Sequence, residues 1–260
     1  LFPHNTLAKA PMPSVLRRAP AEPKLSYAFE GKRYSIDDYL QRQRTMGLLI
    51  IKDGEILVER YQYEKKPSDR FISNSMAKSL VSLAVGLALA EGKIRSLDDT
   101  VAAYVPELKG NAYGETRIRN LLRMASGVRF NESYGRWGDL ARFSRILDFK
   151  GSLAALQGYN SRAASEGEAF HYASIETQAL AVTLRAATGM TLSDYLSARL
   201  WRPMGAEADA TWVTTADDLE QATGLFSATL RDWGRRGVYA SPSPPVNTPC
   251  LLYTSPSPRD

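Results

Sequence analysis

The run from Ser75 to Glu91 constrains the fold more than any other part of this chain. It is rich in Ala and Leu, and its apolar residues, among them Met76, Leu80, Val81, Leu83, Ala84 and Leu87, fall on most faces of a helix rather than on one stripe. A helix that is apolar all round must be enclosed by the rest of the chain. The pattern therefore predicts a buried helix with Ser73 or Asn74 as its cap and Gly92 as its stop. Lys78 is the only lysine between Phe71 and Gly92. One turn into such a helix it cannot easily reach water.

Ahead of this helix lies a second strong signal. Met46-Gly-Leu-Leu-Ile-Ile-Lys52 and Glu55-Ile-Leu-Val-Glu-Arg-Tyr61 flank Asp53-Gly54. Two β-rich runs around Asp-Gly predict a hairpin, because that pair tolerates the positive φ of a tight primed turn. Ile56, Val58 and Arg60 should face one way, and Glu55, Leu57 and Glu59 the other. A short helix is expected from Ser35, which serves as its cap. Further helices are expected at about 117–125, 139–147, 174–187 and 192–200, punctuated by Gly127, Gly189 and Pro203. Residues 1–24 carry five prolines and little periodicity, and read as an extended arm on the surface. After Trp212-Val213 nothing reads clearly as strand.

Composition narrows the class. The 260 residues are 44% hydrophobic and 23% charged, which are globular proportions. No apolar run approaches the length of a membrane span. The net charge of +5 is spread along the chain, so a solvated basic surface accounts for it better than nucleic-acid binding. One cysteine, Cys250, and two histidines, His4 and His171, leave no thiol-rich or histidine-rich metal site. There is no phosphate-binding glycine loop, dinucleotide fingerprint or metal-ligand spacing, so no cofactor is expected. The stretch 250–260, Cys-Leu-Leu-Tyr-Thr-Ser-Pro-Ser-Pro-Arg-Asp, resembles the translation of a sequencing-library adapter rather than a natural Pro/Ser-rich tail. It is set apart from fold reasoning, with the gene expected to be cut near Asn247.

The chemistry starts from Ser75-Met-Ala-Lys78. A Ser-x-x-Lys spacing arises about once by chance in a chain of this composition, and the plain alternative is a cap serine followed by a snorkelling lysine. Context favours a reactive pair. Residues i and i+3 share a helix face. Desolvation lowers an amine's pKa and makes it a usable base, and a helix N-terminus favours negative charge developing at Ser75. A second candidate is Tyr172-Ala-Ser174, just before a helix. There the phenol could relay a proton, or Tyr172 could be a core residue; Ser174 is expected to cap the helix in either case. A Ser-His-Asp hydrolase would need a Gly-x-Ser-x-Gly elbow, which is absent, and His171 suits packing or a substrate edge better than a base.

Ser-x-x-Lys after a hairpin, followed about a hundred residues later by Tyr-x-Ser, resembles the serine β-lactamase and penicillin-binding-protein superfamily. The blocks Asn74-Ser-Met-Ala-Lys-Ser79, Glu91-Gly-Lys-Ile-Arg-Ser-Leu-Asp-Asp99, Tyr104-Val-Pro-Glu-Leu108, Ile118 to Gly127 and Leu225 to Asp232 are similar to its class C and esterase-like branch, and most of all to aminohexanoate-oligomer hydrolases. The resemblance implies Ser75 as acylated nucleophile, Lys78 as its base and Tyr172 as general acid/base. The Ser75 N–H would be half of an oxyanion hole. Ser174 and His171 would be substrate-binding or supporting residues; Ser174 stands where many relatives carry Asn.

The family's third motif, a Lys-Thr-Gly or His/Trp-x-Gly strand, is absent from the sequence, and with it three strands and a helix are expected to be missing. The implied fold is α/β (α+β), an antiparallel sheet flanked by helices with an inserted helical lobe. Its expected divisions are an arm over 1–34, an incomplete sheet subdomain over 35–67 and 204–249, a helical lobe over 68–203 and the tail 250–260. The implied partner is a small ester or amide. A penicillin-recognising sensor that acylates without turnover, or a homologue that only binds, is the alternative.

Overall fold

The computed structural model describes residues 2–240; Cys250 and the adapter-like stretch lie outside the described residues. The chain opens with strands β1 (His4–Leu7) and β2 (Arg17–Arg18). A small hairpin, β3 (Ser26–Phe29) and β4 (Lys32–Ser35), leads to helix α1 (Ile36–Arg42). The second hairpin follows as β5 (Gly47–Lys52) and β6 (Glu55–Tyr61), then β7 (Arg70–Ile72). A 3-10 turn at Asn74–Met76 runs into α2 (Ala77–Ala90). Next come α3 (Ile118–Leu122), α4 (Asp139–Gln157), α5 (Ser174–Thr188) and α6 (Leu192–Leu196), the last continuing as a π-helical turn over Ser197–Trp201. β8 (Ala210–Val213), β9 (Phe226–Thr229) and α7 (Leu230–Tyr239) complete the described chain.

Local chemistry explains the elements read from the sequence. Asp53 and Gly54 take φ of 52° and 77°, so both central turn residues are left-handed, as a primed hairpin turn requires. Ile56 and Val58 are buried on one face of β6, as the alternation predicts. On the other face the Glu59 carboxylate is gripped by Arg18, by Arg231 at 2.7 Å and by the Tyr61 hydroxyl at 2.8 Å, which fastens β2 and α7 to the hairpin. Ser35 caps α1 in a full capping box with Asp38. Gly92 ends α2 at φ 68°.

Several expectations are corrected. The N-terminal arm is more than surface cover. β1 pairs antiparallel with β8, β2 pairs parallel with β6, and Leu7 and Ala10 are buried. Strand structure also continues past Val213. β9 lies between β8 and β7 in a four-stranded antiparallel sheet of order β1-β8-β9-β7, while the hairpin belongs to a separate sheet of order β2-β6-β5. Phe226 of β9 is ringed edge-on by Trp201, Trp212 and Trp233 at 5.1–5.5 Å, so the strand is pinned by aromatic packing as well as by its ladder. Neither Ser73 nor Asn74 caps α2 with its side chain: the Ser73 hydroxyl donates to the Asn74 carbonyl. The helix expected to end near Leu147 runs to Gln157 across a break at Gly151, where φ is 84° and ψ is −179°. Asp217 enters at that break and accepts from the Ser152 N–H at 2.7 Å, capping the second half of α4.

α2 occupies the centre as its sequence demands. Ala77, Leu80, Val81, Ala84, Val85 and Ala88 are buried, and the helix packs on α5 and α6. Its N-terminal end meets the β7–β9 pair, and there the two halves of the Ser-x-x-Lys motif emerge.

Candidate active site

Ser75 reaches the surface because of how the chain turns into α2. Strand β7 is held to β9, and the Ser73 N–H donates to the Phe226 carbonyl at 2.8 Å. Asn74 then takes a left-handed φ of 44°, a conformation its short polar side chain tolerates. The chain swings into the 3-10 turn and leaves Ser75 exposed at the helix mouth. Its backbone is fixed by sheet and helix while its hydroxyl is open to a substrate.

Lys78 Nζ lies 3.0 Å from Ser75 Oγ, as the i, i+3 spacing implies. The amine also donates to the Thr223 carbonyl at 2.6 Å. Burial pushes its pKa down, from the usual 10.5 to about 8, and the nearby Glu132 charge pulls the other way. At neutral pH roughly a tenth of the amine would be unprotonated at that pKa, against well under a thousandth in water. A neutral Lys78 can donate one hydrogen to Thr223 and still offer its lone pair to the Ser75 O–H.

Tyr172 comes to the same place. Its ring centroid is 5.4 Å from Lys78 Nζ, within cation–π range. His171 does not address Ser75. Its Nε2–H donates to the Phe130 carbonyl at 2.7 Å and its backbone N–H to the Met124 carbonyl at 2.7 Å. Ser174 is not the cap of α5. It is the first helical residue, Ala173 holds the cap position, and the Ser174 hydroxyl and N–H both donate to Glu132, at 2.5 and 2.7 Å. Both residues therefore brace the Tyr172 segment.

Three groups at the site escape a reading of the sequence. Thr223 enters through its carbonyl, which any residue type carries. Trp212 holds that carbonyl in place: its indole N–H donates to the Gln221 and Gly224 carbonyls at 3.0 and 2.8 Å, on either side of Thr223. Glu132 lies 42 residues from Ser174, in a stretch with no helical or strand pattern. No local signal marks any of the three. Among the described residues, no group of three or more His, Cys, Asp or Glu is placed to hold a metal ion, and no helix is long and apolar enough to cross a membrane.

The structure thus sets Lys78 against Ser75 at the mouth of α2, with the Tyr172 ring over the amine. The chain is 29% identical over 252 residues to the 6-aminohexanoate-dimer hydrolase of Paenarthrobacter ureafaciens, matching 90% of this chain and 64% of that protein. The chain thus spans just under two thirds of the length of that curated relative. Its fold superposes with a TM-score of 0.83 on a Bacillus anthracis protein described provisionally as a 6-aminohexanoate-dimer hydrolase, at 22% identity over 96% of this chain and 68% of the other. A class C β-lactamase superposes at 0.61, with 19% identity over 79% of this chain and 62% of its own. Residues 35–243 match the Beta-lactamase family, and the chain belongs to that family.

Proposed function

We propose that the protein is a serine hydrolase that cleaves small esters or amides through an acyl-enzyme on Ser75. The observation that carries this reading is the 3.0 Å contact between an exposed serine hydroxyl and a lysine amine whose pKa burial has brought to about 8. Neutral Lys78 takes the Ser75 proton as Oγ attacks the substrate carbonyl carbon. The oxyanion of the tetrahedral intermediate is stabilised in part by the Ser75 N–H at the helix mouth. Tyr172 passes a proton to the leaving alcohol or amine as the carbonyl re-forms, and the proton that Lys78 took from Ser75 replaces it on the phenol, leaving the amine neutral for the next step. Water then attacks the acyl carbon, yields its proton to the same base system, and releases the carboxylic acid and free Ser75. The net reaction consumes one ester or amide bond and one water, and gives an acid and an alcohol or amine.

The curated relative's name, 6-aminohexanoate-dimer hydrolase, supports a short linear amide as one substrate class. The test is hydrolysis of short-chain p-nitrophenyl esters by the intact protein and by Ser75→Ala. Losing a nucleophile costs many orders of magnitude in rate. Near-normal turnover in Ser75→Ala would overturn the assignment.

A further inference from the structure

We propose that Glu132 is a positioning residue for this site: its carboxylate, held by both the hydroxyl and the backbone N–H of Ser174, locks the Tyr172 segment against Lys78 and sets a fixed negative charge near that amine. The inference rests on the assignment of Ser75 and Lys78 as nucleophile and base.

Helix α5 begins without a cap of its own, because Ala173 at the cap position has no side-chain acceptor. A carboxylate at a helix N-terminus satisfies an orphan N–H and interacts well with the helix dipole. Glu132 supplies it, with one oxygen on the Ser174 N–H at 2.7 Å and the other on the Ser174 hydroxyl at 2.5 Å. Two residues earlier in the same segment, the Phe130 carbonyl accepts from His171. The segment 130–132 therefore holds the chain on both sides of Tyr172, the residue whose ring covers Lys78.

A second observation separates Glu132 from an ordinary cap. Among the described residues, Ser75 Oγ, the Thr223 carbonyl from the loop before β9 and the Tyr172 ring ahead of α5 lie against Lys78, and the Glu132 carboxylate, bonded to Ser174 two residues past Tyr172, acts on the amine through its charge. Of these only Glu132 is charged, and it opposes the effect of burial on the amine. Two other carboxylates cap helices from a distance, Glu220 on α6 and Asp217 inside α4. Neither is among the groups that shift Lys78. Capping alone would not need a charge that reaches the base. A fixed anion there keeps part of the Lys78 population protonated in the resting site and stabilises the ammonium formed when Ser75 gives up its proton.

The experiment compares wild type with Glu132→Gln, Glu132→Asp and Ser174→Ala in the intact protein. The Lys78 titration is read from its 13Cε resonance in lysine-labelled protein, assigned by its loss in Lys78→Arg. The pH profile of kcat/KM on a p-nitrophenyl ester is read alongside. We expect the Lys78 midpoint to fall in Glu132→Gln by about half a unit to one unit, with the acidic limb of the profile moving the same way. Glu132→Asp should restore most of that shift. Ser174→Ala should lower kcat with the midpoint close to wild type, because the charge remains. Coincident midpoints in wild type and Glu132→Gln would reduce Glu132 to a helix cap and overturn the proposal. If Glu132→Gln does not fold, Glu132→Ser, uncharged and smaller, takes its place, and an unshifted midpoint there overturns the proposal equally. A shifted midpoint in a protein with no Ser75-dependent turnover would refute the proposed function and leave the Glu132–Lys78 coupling standing.

Discussion

Glu176 gives a quantitative test of the packing beneath the site. It lies on α5, one turn after Tyr172, and is 1% exposed. One carboxylate oxygen accepts from the Ser126 hydroxyl at 2.7 Å and its N–H at 3.4 Å, and the other has no hydrogen-bond partner. Burial pushes its pKa up to about 7, against the partial relief given by Ser126 and Arg162. A carboxyl whose folded pKa lies above its unfolded value of about 4.5 holds its proton longer in the folded state. Its contribution to stability is therefore complete below about pH 4.5 and is lost as pH rises through about 7. The shift corresponds to about 3 kcal/mol between pH 4 and pH 8. Glu176→Gln keeps an acceptor for Ser126 and removes the ionisation. Urea denaturation of the intact wild type and variant, followed by tryptophan fluorescence, measures the difference. The variant should gain about 3 kcal/mol relative to wild type between pH 4 and pH 8. A difference that does not change with pH would refute the reasoning.

Other consequences follow from the same geometry. With the neutral amine as the proposed active form, kcat/KM should rise with pH through an acidic limb near pH 8, and Lys78→Arg, which cannot deprotonate, should lose about 10²–10⁴-fold in rate. Tyr172→Phe should keep its melting temperature and lose about 10²–10⁴-fold in turnover; loss of stability without loss of activity would make Tyr172 a packing residue. Gly151→Ala should destabilise the fold by about 1–3 kcal/mol in denaturant titrations, because φ of 84° with ψ of −179° is open essentially to glycine alone and an added Cβ would lie 2.4 Å from the Asp217 carboxyl carbon.

What is legible in the sequence is mostly local. Asp53-Gly54 dictates its turn, Ser35 and Asp38 dictate a capping box, and the apolar faces of α2 dictate its burial. Ser75 and Lys78 stand out because a three-residue helical spacing carries its own geometry. Features set by distant contacts stay hidden. β1 is masked by prolines and by the absence of a partner within reach, since it pairs with β8 some two hundred residues away. β9 is only four residues long and almost wholly buried, so Phe226-Ser-Ala-Thr229 shows no clean alternation. The helix expected to stop near Leu147 runs on past the Gly151 break, where Asp217 caps its second half from elsewhere. Ser174 misleads for a related reason. A serine before an apolar helix looks like a cap, but the capping group is Glu132, supplied by another segment.

The central claim is that Ser75 is transiently acylated. Rapid mixing of the intact protein with p-nitrophenyl acetate, acid quenching within milliseconds and mass analysis of the resulting peptides tests it most directly. An acetyl group should appear on Ser75, and it should decay at the rate of steady-state turnover, leaving the serine free. An adduct that persists would indicate a sensor that acylates without hydrolysis. Turnover with Ser75 unmodified, or acetylation at another residue with equal turnover in Ser75→Ala, would contradict the account.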